Sequence, residues 1–120
     1  MILKQAAMKV VYYNKTNMIL VLLWKEVGLC IHKHLTNKAV YNISHYNSGR
    51  SVLVNIKSKE EAMKYMQKLH DEVLEDWTFT IDDWNDPSIA DLKAQMKRGI
   101  DTIQQEICNK PGLKYIRKPS

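Results

Sequence analysis

The chain is poor in cysteine, proline, glycine and phenylalanine, with two, three, four and one of each among 120 residues. Cys30 and Cys108 are far apart and form no C-x-x-C pair, so no disulfide framework or zinc ribbon is signalled and reduced thiols in a cytoplasmic setting are expected. Scarce glycine and proline beside an ordinary apolar share exclude a low-complexity or collagen-like chain. A long apolar run is missing as well. Met18–Trp24 has seven residues, against the roughly 20 of a membrane-spanning helix, so no membrane partner is expected. Lys4, Lys9 and Lys15 ahead of this run and a cysteine after it suggest a lipoprotein signal. Trp24, Lys25 and Glu26 interrupt it, however, and Leu29 stands where a small residue is required.

Acid is missing from the first half. Residues 1–59 hold nine Lys/Arg and one acid (+8), residues 60–91 hold two and ten (−8), and residues 92–120 hold seven and two (+5). A basic half followed by an acidic belt and a basic tail suits a polyanion, an oppositely charged protein, or self-association.

What is present reads as one α+β domain over 1–120, an antiparallel meander of three to four strands packed against one or two C-terminal amphipathic helices. Residues 1–27 are poorly legible, with Met18–Trp24 favouring a strand. Residues 28–57 form the meander, in which Leu29, Ile31 and Lys33 face one way and Cys30, His32 and His34 the other. Asn47-Ser48-Gly49-Arg50 joins the extended runs 39–46 and 51–56, the glycine supplying a positive φ. In the helical part, 58–108, Ser58-Lys-Glu-Glu61 is a capping box. Ala62, Met66, Leu69 and Val73 then make a stripe on a helix to about Glu75. Trp77, Phe79 and Ile81 alternate in a strand or extended connector. Asp86-Pro87 opens a second helix with a seam of Ile89, Leu92, Met96, Ile100, Ile103 and Ile107. That seam packs on its own domain, or pairs two copies through Ile89, Leu92, Met96, Ile100 and Ile103. Residues 109–120 are a basic tail.

The row Cys30, His32, His34 raises the question of metal. Further ligands would have to come from His45, His70 or Cys108, and no second ligand cluster exists, so no metal site and no cofactor are expected. Cysteine–histidine catalysis lacks an orienting carboxylate, and a non-enzymatic protein is expected. The row is read instead as a solvated or partner-facing strand surface. Beside it, Lys33, Lys38, Tyr41, Tyr46, Arg50 and Lys57 combine cations with rings, the equipment for phosphates and exposed bases. Lys93, Lys97, Arg98 and the tail extend that set, and nucleic-acid binding is the first expectation. The alternative is an inhibitor or adaptor for a basic protein partner, anchored by Trp77, Asp82, Asp83 and Trp84 in the acidic-aromatic segment 75–86.

The run from Ala39 to Leu69, with its hairpin at Asn47–Arg50 and its helix opening Lys57-Ser-Lys-Glu-Glu-Ala62, resembles the AP2-like arm-binding domain of phage integrases. There a three-stranded sheet enters the DNA major groove with a helix behind it. The resemblance implies DNA contacts from Tyr41, Ser44, Tyr46, Arg50 and the neighbours of Val54. The size, the lysine- and asparagine-rich character and the lack of catalytic motifs are similar to small phage-encoded proteins, including anti-defence inhibitors of the anti-CRISPR type.

Overall fold

In a computed structural model of the protein, residues 1–109 are described, apart from the side chain of Tyr12. The basic tail from Lys110 onward lies outside the described residues. Five strands, β1 (Lys4–Tyr12), β2 (Lys15–Trp24), β3 (Leu29–Lys33), β4 (Tyr41–His45) and β5 (Ser51–Ile56), pair antiparallel in sequence order. The expected meander is therefore present, preceded by a hairpin that its sequence conceals.

β1 and β2 pair over their full lengths, from Lys4↔Leu23 to Tyr12↔Lys15. The two residues between them, Tyr13 and Asn14, have φ of 51° and 60°, a two-residue turn of the kind whose twist matches the flanking strands. β2 then pairs β3 only from Trp24↔Leu29 to Leu22↔Ile31, so most of the hairpin extends past the rest of the sheet. It folds over the face of β3 and β4 that carries Cys30 and Ser44. Tyr46 Oη donates to the carbonyl oxygen of Ala7 at 2.8 Å, and a Cβ on Gly49 would meet the carbonyl oxygen of Lys9. Glycine at this turn thus serves both a positive φ of 72° and the close approach of β1. Met8, Val10, Val21 and Cys30 form the small core under the hairpin, flanked by Ala6, Ile19, Leu35 and Tyr46.

The larger core fills the opposite face. Helix α1 (Lys59–Glu72) begins where Ser58 accepts the Glu61 N–H at 3.1 Å, so the expected start is observed, although the helix stops three residues before Glu75. Residues 76–84 form no strand. They run extended to Thr80 and turn once through α2 (Ile81–Trp84), held by a capping box between Thr80 and Asp83. Asp86 accepts from Ser88 N–H and opens a 3-10 turn, Pro87–Ile89, that continues into α3 (Ala90–Cys108). Of the seam, Met96, Ile103 and Ile107 are buried with Ala62, Tyr65, Met66, Leu69 and Trp77 against Ile31, Ile43, Leu53 and Ile56. Ile100 packs beside them, whereas Leu92 is exposed. The two long helices approach closely at Gly99, where a Cβ would press on Val73, and Lys68 Nζ meets Glu106 Oε1 at 2.6 Å.

α1 lies across β3, β4 and β5, and α3 lies on β5. On β2, α1 meets Trp24 through His70 at 5.1 Å between ring centres, whereas Met18 and Leu20 farther along the same face are exposed. No helix is long and apolar enough to cross a membrane among the described residues.

Candidate interaction surface

The row in β3 is not a solvated surface. Cys30 is fully buried and His32 is 7% exposed, because the β1–β2 hairpin closes over their face. The Cys30 thiol lies 3.4 Å from Met8 Sδ and 3.5 Å from the Ser44 carbonyl oxygen. Burial pushes its pKa up to about 12, against a smaller opposing effect of hydrogen bonding with the Ser44 backbone, so the thiol is inert at neutral pH. His32 Nδ1 is 2.9 Å from the Lys33 carbonyl and Nε2 is 2.7 Å from Ser44 Oγ. A carbonyl only accepts, so Nδ1 carries the proton and Nε2 accepts from the Ser44 hydroxyl. Burial holds this imidazole below its ordinary pKa; the Lys33 carbonyl opposes that shift, and His34 and Lys38 add to it. His34 is the outermost of the three, its Nδ1 accepting from the Thr36 and Asn37 amides at 3.2 Å each. His45 sits on the opposite face, and no group of three or more His, Cys, Asp or Glu is placed to hold a metal ion among the described residues.

The six residues expected to contact nucleic acid do not share a face. Lys33 pairs across from Tyr41, Tyr41 pairs with Ile56 next to Lys57, and Lys38 lies in the β3–β4 loop, all at one end of the sheet. Tyr46 and Arg50 flank the turn at the other end, five residues along β4 from Tyr41, or roughly 16 Å. Tyr41 packs against the helical core, whereas Tyr46 lies on the hairpin side with its hydroxyl bound to β1. A sheet that enters a groove needs one free face, and here helices cover one face of β3–β5 while the hairpin covers the other face of β3 and β4.

The acidic-aromatic segment is largely committed to the fold. Trp77 is 2% exposed and its Nε1 donates to the Leu74 carbonyl at 2.6 Å. Asp83 holds the Thr80 amide at 2.9 Å. Trp84 is half-buried, stacked on Phe79 at 5.4 Å with Lys93 Nζ 4.9 Å from its ring centre. Asp82 remains exposed. A cavity of about 180 Å³ opens beside Phe79, Trp84, Ile100, Arg50 and His45. His45 stacks on Phe79 at 4.2 Å, and its Nδ1 is 2.6 Å from Ser48 Oγ. Burial lowers its pKa. The carbonyls of Phe79 and Trp77 act the other way, but no atom among the described residues meets Nε2 at hydrogen-bonding geometry.

The surface that sequence reasoning missed is the outer face of the hairpin. Val11, Tyr13, Met18 and Leu20 are 73%, 81%, 61% and 75% exposed. Ala7, Lys9 and Val11 lie directly opposite Leu20, Met18 and Thr16, so the apolar positions adjoin one another on one face with Lys9 among them. This face continues through Leu22 into the core face of the sheet; it is exposed because the helical layer stops short of it. At the inner side of β2 a second cavity of about 270 Å³ lies between Val10, Asn17, Ile19 and Leu35. The signal was present in the sequence as apolar residues on both parities of residues 6–11 and 18–23. No protein-family model matches the chain, and no curated protein or solved structure is detectably similar to it.

Proposed function

We propose that the protein is a non-enzymatic binding module for another protein, an inhibitor or adaptor, and that the outer face of the β1–β2 hairpin is its contact surface. The observation that carries this reading is the adjoining exposure of Val11, Met18 and Leu20 on a hairpin paired over its full length, since soluble surfaces seldom leave such side chains side by side without use. Burying each is worth about 1.5–3 kcal/mol, and association costs about 4–15 kcal/mol. The three side chains therefore support a weak contact and call for further interactions at the same place.

Nuclease-treated bacterial lysate at raised salt tests the reading. Immobilised protein is expected to retain a partner that a folded Met18→Ser/Leu20→Ser variant does not retain. Capture that depends on nucleic acid, or that the double variant leaves unchanged, contradicts it. A second reading, phosphate contact by the basic half of the chain, is favoured by nine Lys/Arg against one acid in residues 1–59. In that case Lys33→Ala and Arg50→Ala each lower the salt slope of DNA or RNA binding by about one.

A further inference from the structure

We infer that the free edge of β2 from Thr16 to Leu20 accepts an extended, acidic segment of a partner protein as an added strand. This inference rests on the proposed protein-binding function and names its mode. In a hairpin closed by two residues, the pair Tyr12↔Lys15 is hydrogen-bonded, and alternation then turns the N–H and C=O groups of Lys15, Asn17, Ile19 and Val21 toward β1. The backbone groups of Thr16, Met18 and Leu20 point the other way. The ladder to β3 ends at Leu22↔Ile31, so among the described residues these groups have no strand partner. Past that point β2 and β3 splay, and a cleft of about 160 Å³ opens between Leu20, Val21 and Leu22 and the residues Ile31 and His32.

The outer edges of β5 and β1 are each met by another part of the fold. The outer edge of β5 is met at Val54, whose N–H donates to Gln104 Oε1 and whose carbonyl accepts from Gln104 Nε2, both at 2.9 Å. The outer edge of β1 is met by Tyr46 and the Gly49 turn. The bare stretch of β2 contains no proline, carries a lysine only at its Lys15 end, and shows no register shift against β1, so it has few of the features that keep an edge from pairing.

Charge and shape identify the occupant. Residues 1–25 contain Lys4, Lys9, Lys15 and Lys25 and no acid. Lys33 ends β3 beside the cleft, and Lys38 lies in the loop that follows. A second copy would set one uncompensated basic hairpin against another, whereas an acidic strand neutralises it. Alternate side chains of that strand would lie with Met18 and Leu20 on the outer face and at the notch between Asn17, Ile19 and Leu35 on the inner face, the usual division between main-chain affinity and side-chain choice in strand addition.

The test uses the full chain and three capped nine-residue peptides: one alternating valine and glutamate, one alternating valine and lysine, and the glutamate peptide with two central prolines. At saturation the glutamate peptide is expected to slow amide exchange at Thr16, Met18 and Leu20 at least tenfold. The lysine peptide is expected to bind at least tenfold more weakly, and the proline peptide to have no effect. Met18→Pro deletes an outward N–H while sparing the ladder to β1, and is expected to abolish the response; the peptide comparison stands alone if that variant does not fold. No slowing, equal slowing by the lysine peptide, or protection that rises with protein concentration in the absence of peptide, as for a second copy, each overturns the inference. Loss of partner capture in Met18→Ser/Leu20→Ser without amide slowing overturns strand addition alone and leaves the proposed function standing.

Discussion

The outer edge of β5 and the free edge of β2 present the same backbone groups and are finished in opposite ways. At β5 a side-chain amide from α3 offers one donor and one acceptor to Val54, in the place of a neighbouring strand. At β2 the helical layer stops, the third strand diverges after Ile31, and the outward groups of Thr16, Met18 and Leu20 stand beside exposed apolar side chains. One side of the sheet is built for stability. The other carries exposed apolar surface and, among the described residues, backbone groups without a strand partner, and that difference is why we place binding there rather than on the basic residues of the meander.

The helix-covered side is expected to be costly to disturb. Trp77→Ala removes a buried indole from the larger core and should destabilise the protein by about 3–5 kcal/mol, read from urea unfolding; a loss under 1 kcal/mol would show that this segment is not part of the core. Gln104→Ala should cost about 1–3 kcal/mol, because Val54 loses both partners in a partly buried place. It should also give β5 a bare edge, detected as faster exchange of the Val54 amide.

A smaller effect comes from pH. Burial holds His32 and His45 below their ordinary pKa in the folded state, so the unfolded chain binds more protons once pH drops below about 6.5. Stability is therefore complete above that value and declines as pH falls toward the folded-state pKa values. Urea midpoints at pH 7.5 and 5.5 check the sign, and His32→Gln should flatten the dependence. Leu20→Ser should have the least effect on folding, within about 0.5 kcal/mol, although it removes a principal contact of the proposed interface. A large loss there would mean that the hairpin face is structural and would erase the contrast with β5.

Much of this fold is legible in the sequence, and the exceptions have physical causes. Ser58 and the stripe from Ala62 to Leu69 announce α1 because cap and periodicity agree. Gly49 announces its hairpin because only a few residues tolerate its φ. The β1–β2 hairpin escapes because its turn is Tyr13-Asn14 without glycine, and because Ala6 to Val11 and Met18 to Leu23 are apolar on both faces, which erases the alternation that marks a half-buried strand. That missing alternation is the candidate surface itself. The burial of Cys30 and His32 depends on where that hairpin folds, and Gln104 reaches Val54 across fifty residues, so neither was open to local reading. The division of the basic set was open to it, since Tyr41 and Tyr46 are an odd number of residues apart in the extended run 39–46, which puts them on opposite faces.

Residue-resolved amide exchange of the free protein tests the contrast between the two edges most directly. We expect Thr16, Met18 and Leu20 to exchange at least about tenfold faster than Asn17, Ile19, Val21 and Val54, whose amides are hydrogen-bonded. Equal protection of both sets would show that the edge of β2 is already occupied, and would contradict the placement of the binding surface there.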